Sequence, residues 1–264
     1  MRSVYGPIDS WRLKRSLGVD LISEEARVCS FDCIYCQISN CQELTAKRRK
    51  FVELEELREE LIEALEIVGD KVDYITLSGM GEPTLASNLS EAVEMLEEVS
   101  DKPKAILTNS SLLHLEEVRR PLERLDYVIA SLDAVDEESL EKVNNPAEGI
   151  SFDEIIEGLR VFGENYSGTL AIEIMFVEEN KHFVERMAEI IDQLNVNEVQ
   201  LNTPLRPSIV EPLKERELKA LESHFDEVRT KIVYEAKRTD TPNLDEDDII
   251  KRGRSKQNSP STNS

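Results

Sequence analysis

Residues 74–83, Tyr-Ile-Thr-Leu-Ser-Gly-Met-Gly-Glu-Pro, read as a short β-strand (74–78) that runs directly into an acidic, glycine-rich turn. Aromatic and β-branched residues favour the strand, and the Gly/Pro cluster ends it. The same grammar recurs on both sides. Strand candidates lie at 16–22, 105–108, 127–132, 170–177 and 199–203, with a last one at 228–234. Helical stretches fall between and after them, near 88–100, 113–124, 152–164 and 181–194. The clearest helix is 52–68, where Val52, Leu54, Leu57, Leu61, Ile62, Leu65 and Val68 recur at helical spacing opposite charged residues. Strands separated by helical crossovers must pair in parallel, and repeated right-handed units curl into an open sheet or a barrel. The expected fold is α/β, a partial TIM-type barrel of about six β/α units with its active site at the carboxyl ends of the strands. The barrel should occupy residues 1–240. Residues 241–264, rich in Lys, Arg, Ser, Pro and Asn without apolar periodicity, read as a disordered tail.

Composition narrows the function classes. The 264 residues include 54 acidic and 32 basic side chains, a formal charge of -22, which opposes unassisted binding to nucleic acid or an anionic membrane. No run of 18 apolar residues and no signal-type N-terminus occurs, so a cytoplasmic protein is expected. All four cysteines lie between Cys29 and Cys41, which points to metal or redox chemistry rather than a disulfide framework.

The strand ends gather the polar chemistry. In chain order they carry Cys29 to Cys36, Gly79 to Glu82, Asn109, Ser131 with Asp133, and Asn202-Thr203 leading to Arg206. Glu173 stands alone in an apolar strand. Glu173 and Arg206 are candidates for acid–base work on a substrate, or for an internal ion pair bracing the barrel. Short polar residues also make ordinary turns and helix caps, which accounts for some of these positions.

Cys29-Ser-Phe-Asp-Cys-Ile-Tyr-Cys36 offers three thiols within eight residues, spaced for one loop to wrap a compact iron–sulfur cluster. Three ligands leave one iron of a four-iron cluster open to substrate or cofactor. Cys41 as a fourth ligand would instead give an electron carrier. A zinc module fits less well, because structural zinc sites use two separated ligand pairs and the nearest histidine is His114.

At these residues the chain resembles the radical SAM superfamily, which shares C-x-x-x-C-x-aromatic-C with Tyr35 at the aromatic position. Ser-Gly-Met-Gly-Glu-Pro-Thr is similar to the superfamily's Gly-Gly-Glu motif. More narrowly, Tyr5-Gly-Pro-Ile-Asp-Ser, Ser131-Leu-Asp-Ala and Val199-Gln-Leu-Asn-Thr-Pro-Leu-Arg-Pro resemble the radical SAM proteins related to wyosine-synthesising tRNA enzymes. The resemblance implies a [4Fe-4S] cluster on Cys29, Cys33 and Cys36 and S-adenosylmethionine (SAM) as cofactor. It further implies that SAM meets Tyr35, Gly79, Gly81 and Glu82, with Asn109, Ser131 and Asp133 toward ribose and carboxylate. Asn202 and Thr203 would lie near adenine or substrate. Reductive cleavage of SAM would yield a 5'-deoxyadenosyl radical that modifies an unidentified substrate, with ferredoxin or flavodoxin as electron donor. A glycyl-radical activase and a wyosine-type tRNA enzyme use the same cysteine pattern. The wyosine enzymes carry extra N-terminal cysteines, whereas this chain has none before Cys29. Tight tRNA binding is therefore not expected, and the two basic runs, 47–50 and 251–256, read as solvated charge.

Overall fold

The structure, a computed structural model, describes residues 3–38, 41–235 and Leu244. A hairpin opens the fold: β1 (Val4–Ser10) pairs antiparallel with β2 (Lys14–Val19). The next two strands, β3 (Arg27–Cys29) and β4 (Cys41–Leu44), form a separate two-stranded parallel ribbon. Then come α1 (Leu54–Val68), β5 (Tyr74–Leu77), α2 (Leu89–Val99), β6 (Lys104–Thr108), α3 (Glu116–Leu122) and β7 (Tyr127–Ser131). Two helices, α4 (Glu137–Asn144) and α5 (Phe152–Asn165), precede β8 (Thr169–Met175). The described chain finishes with α6 (Val184–Ile191), β9 (Glu198–Asn202), α7 (Glu215–Glu222) and β10 (Arg229–Ile232).

The main sheet runs β1-β2-β5-β6-β7-β8-β9-β10, parallel throughout except at the β1 edge. This is the expected half-barrel, with β10 as a seventh parallel strand and β1 as an added antiparallel edge. Residues 4–10, outside the expected strands, form a strand even though Gly6-Pro7 interrupts them, because a register shift between Tyr5 and Ile8 absorbs the break. Strand 16–22 sits earlier than expected, at 14–19, and the expected helix 181–194 begins as a 3-10 turn at Lys181–Phe183. Within α1 the buried stripe is Leu57, Leu61, Ala64 and Val68, while Ile62 is exposed.

The outer face of the sheet packs the helices in one continuous apolar core. The concave face is different. There Leu13, fully buried, packs on Ala105, Tyr127, Ile129 and Ala171. Leu13 belongs to the turn between β1 and β2, where Lys14 adopts a left-handed φ of 57°. The hairpin tip therefore folds into the hollow of the half-barrel and fills its lower part. Of the expected tail, only Leu244 lies among the described residues, and its N–H donates to the Gly6 carbonyl. The rest of 241–264, including the basic run 251–256, lies outside them.

Candidate active site

The cysteine loop is seated on the turn after β5. The Val28 N–H donates to the Met80 carbonyl (3.1 Å), and the Glu82 N–H donates to the Val28 carbonyl (3.3 Å). Gly81 makes this approach possible: its φ is +148°, and a β-carbon there would stand 1.6 Å from the Val28 oxygen. Gly79 packs against the Asp20 carboxylate, which also accepts the Met80 N–H (3.0 Å) and those of Ile22 and Ser23. Both glycines thus serve close packing, Gly81 against β3 and Gly79 against Asp20 just past the end of β2.

Beyond Cys29 the loop is stitched to the end of α4. Asp32 and Ile34 donate to the carbonyls of Asn144 and Val143, and Ala147 donates to that of Ser30. The buried guanidinium of Arg27 holds the loop from inside, donating to the Phe31 carbonyl and pairing with Asp32. Cys29, Cys33 and Cys36 are half-buried and none is in a disulfide. Burial pushes the Cys29 thiol well up, aided by the charge of Glu82, and pushes Cys33 up to about 12, aided by Asp133. Unligated, these two are thiols at neutral pH, and metal uptake would release their protons. Cys41 lies opposite Arg27 in the β3–β4 register, and its thiol donates to the Glu43 carbonyl (3.3 Å).

Two amides face the sulfurs. Asn109 Nδ2 lies 3.7 Å from Cys29 Sγ, and Asn144 Nδ2 lies 3.4 Å from Cys33 Sγ. Three free thiols on one loop, two of them within reach of N–H donors, fit an iron–sulfur cluster, whose sulfurs accept such bonds.

The carboxylates around this loop are engaged within the protein. Glu82, buried, accepts from Thr84 N (3.0 Å), Thr84 Oγ1 (2.7 Å), Thr108 Oγ1 (2.7 Å) and Asn109 N (2.7 Å), tying the end of β5 to that of β6. Burial still raises its carboxyl above the usual range, against those hydrogen bonds. Asp133 accepts from Met175 N (2.7 Å), Asn144 Nδ2 (3.0 Å) and the Tyr35 hydroxyl. Burial pushes its carboxyl up to about 6, and the charge of Glu173 adds to the effect. The Ser131 carbonyl accepts from Ser110 Oγ (2.7 Å), while Ser131 and Asp133 line a small cavity with Phe31, Asn109 and Asn144.

Deeper in the hollow, Glu173 pairs with Arg12 of the hairpin tip through two hydrogen bonds and accepts from Asn202 Nδ2 (2.6 Å). Its ion-pair partner is therefore Arg12 and not Arg206, because the folded-in tip delivers a guanidinium to the centre of the sheet. Arg206 lies half-buried on the loop after β9. Thr203 is spent on backbone, donating to the Phe176 carbonyl (2.9 Å) and accepting from Leu213 N (2.8 Å). The fold thus gathers Cys29, Cys33, Tyr35, Gly81, Glu82, Asn109 and Asp133 at one rim, with Glu173 and Asn202 below. Sequence reasoning missed Asn144, Arg27 and Arg12. Asp136 and Ser139, which cap α4 reciprocally, were the available sign of the helix that carries Asn144.

A family model described as the radical SAM superfamily matches residues 26–194. The chain belongs to the radical SAM superfamily. Superfamily members use a [4Fe-4S] cluster and SAM, and the three thiols described above fit that cluster. This radical SAM protein is 39% identical over 211 residues to a UPF0026 protein of Methanocaldococcus jannaschii, covering 78% of this chain and 65% of that one. It is 37% identical over 223 residues to a UPF0026 protein of Synechocystis, covering 84% and 81%. Among solved structures, archaeal TYW1 is similar with a TM-score of 0.54 at 19% identity, covering 81% of this chain and 72% of that one. Superfamily membership carries a general requirement for a substrate and a reductant. Among the described residues, no helix is long and apolar enough to cross a membrane.

Proposed function

We propose that this chain is an enzyme that binds a [4Fe-4S] cluster through Cys29, Cys33 and Cys36 and uses it, with SAM, on a substrate smaller than tRNA. The observation that carries the reading is one loop with three free thiols, anchored through Val28 on the turn after β5 and through Asp32 and Ile34 on the end of α4. When bound, the cluster and SAM supply reductive cleavage of a carbon–sulfur bond and a 5'-deoxyadenosyl radical. The chain's own residues do the rest. Gly81 brings β3 down onto the turn after β5, Gly79 leaves room for the Asp20 carboxylate that holds this turn, and Glu82 fixes the β5 and β6 ends relative to each other. Asp133 fixes Tyr35 of the cysteine loop against β8. Asn109 and Ser131, which line the small cavity beside the cysteine loop, would adjoin SAM there. Arg12 and Leu13 fill the lower hollow, which would exclude water from beneath the site.

The substrate reading rests on the basic run at 47–50. Arg48 donates to the Thr84 and Ala86 carbonyls and pairs with Glu117, Arg49 pairs with Glu43, and Lys50 pairs with Glu53. Little of this charge is free for phosphates, and the formal charge of -22 opposes their approach. A low-potential ferredoxin or flavodoxin is the proposed reductant. A cytoplasmic location suits four free cysteines.

The test is anaerobic reconstitution with iron and sulfide, then SAM and dithionite, with chromatography for 5'-deoxyadenosine. Its formation above a cluster-free control supports the assignment, and a loaded cluster that never yields it overturns it. Titration with unmodified tRNA at moderate salt tests the substrate class. Submicromolar, salt-sensitive binding that vanishes when residues 47–50 are neutralised would restore a tRNA substrate.

A further inference from the structure

We propose that Asn144 and Asn109 set the reduction potential of the cluster by donating N–H hydrogen bonds to the thiolates of Cys33 and Cys29. The inference rests on the reading above that these cysteines carry the cluster. Neither asparagine belongs to the cysteine loop. Asn144 is the last residue of α4, and Asn109 follows β6, so each sulfur is met by a donor from a different part of the half-barrel.

The orientation of each amide is fixed by its other partners. Asn144 is buried, and its Nδ2 lies 3.0 Å from Asp133 Oδ2, 3.2 Å from the Tyr35 hydroxyl and 3.4 Å from Cys33 Sγ, so one N–H faces the carboxylate and the other the Tyr35–Cys33 side. A carboxylate only accepts, so the nitrogen must face it. Turning the amide over would set its oxygen against the carboxylate. The cost is visible on the other side, where Asn144 Oδ1 is buried without a hydrogen-bond partner among the described residues. The site therefore keeps the N–H groups on the sulfur side at the expense of the oxygen. Asn109 is oriented in the same sense: its Oδ1 accepts from Ser111 N (3.1 Å), which turns Nδ2 toward Ser30 Oγ (2.8 Å) and Cys29 Sγ (3.7 Å). A donor facing a cluster thiolate stabilises the more electron-rich, reduced state and raises the potential.

The experiment is an anaerobic redox titration of the reconstituted cluster, followed by electron paramagnetic resonance, on wild type, Asn144→Leu, Asn109→Asp and the double variant. Leucine keeps the volume without the donor, and aspartate keeps the oxygen that accepts from Ser111 N. Each single change should lower the reduction equilibrium constant by roughly tenfold, about 59 mV for a one-electron couple. The double variant should show the sum, since the two amides address different thiolates. Iron and sulfide content is measured first. Wild type that takes up no cluster overturns the cluster reading itself, and this proposal with it. Loaded variants whose midpoints match wild type overturn this proposal alone. If Asn144→Leu fails to fold, the shift in Asn144→Ala, which removes the same donor without adding charge, decides.

Discussion

Gly81 and Val28 meet so closely that the carbonyl oxygen of Val28 occupies the place a β-carbon of residue 81 would take, at 1.6 Å. The neighbouring atoms are backbone, so no side chain can swing aside. Gly81→Ala should therefore lift β3 from the turn after β5, costing about 3 kcal/mol from overpacking and φ strain together. Urea denaturation would show the lowered midpoint, and iron analysis after reconstitution would show poor cluster retention. Retention equal to wild type would mean that the seat is not needed to hold the loop.

Replacement of Cys29, Cys33 or Cys36 by alanine should abolish cluster assembly, whereas Cys41→Ala should retain it. The Cys41 thiol points to the Glu43 carbonyl on its own strand. Iron and sulfide content of the four variants decides. Loss of the cluster in Cys41→Ala would favour a four-cysteine electron carrier.

The Arg12–Glu173 pair is nearly enclosed, with side-chain exposures of 15% and 7%. Arg12→Ala strands a buried carboxylate and should cost about 3 kcal/mol. Arg12→Met combined with Glu173→Gln removes both charges and should recover most of that loss. Chemical denaturation of the single and double variants gives the comparison, and a double variant no better than Arg12→Ala would point to lost packing at the hairpin tip.

Asp133 makes stability depend on pH. Its carboxyl is raised from the ordinary 3.8 to about 6 by burial, so the folded chain holds a proton that the unfolded chain has already released between these values. The contribution is present below about 4 and lost as the pH climbs through 6, on the order of 3 kcal/mol in total. In cluster-free protein, Asp133→Asn should flatten the decline in unfolding free energy across this window, whatever its baseline. A profile parallel to wild type would assign the window to another group.

What the sequence revealed follows from how local the physics was. The strand at 74–77 and the turn after it could be read because strand propensity and glycine chemistry act within a few residues. The cysteine loop was legible for the same reason. The partner of Glu173 was not, because Arg12 lies 161 positions away and reaches it only once the hairpin has folded into the hollow. Asn144 was hidden at the end of a helix whose mean character is polar, and its importance comes from the sulfur it faces rather than from its own neighbours. The basic run 47–50 read as solvated charge. The fold instead uses Arg48 to hold two backbone carbonyls, a contact that no charge count reveals.

The hairpin tip also bears on how this protein should be handled at the bench. A fragment trimmed to the matched span, residues 26–194, would discard β1, β2, β9 and β10 together with Leu13 and Arg12. Both flanks of the remaining sheet would then present unpaired backbone, at β5 and at β8, and Tyr127, Ile129 and Ala171 would open to water. Such an excised piece is expected to aggregate on expression rather than serve as a minimal catalytic unit. The segments outside the family signature are the ones that make the dome watertight.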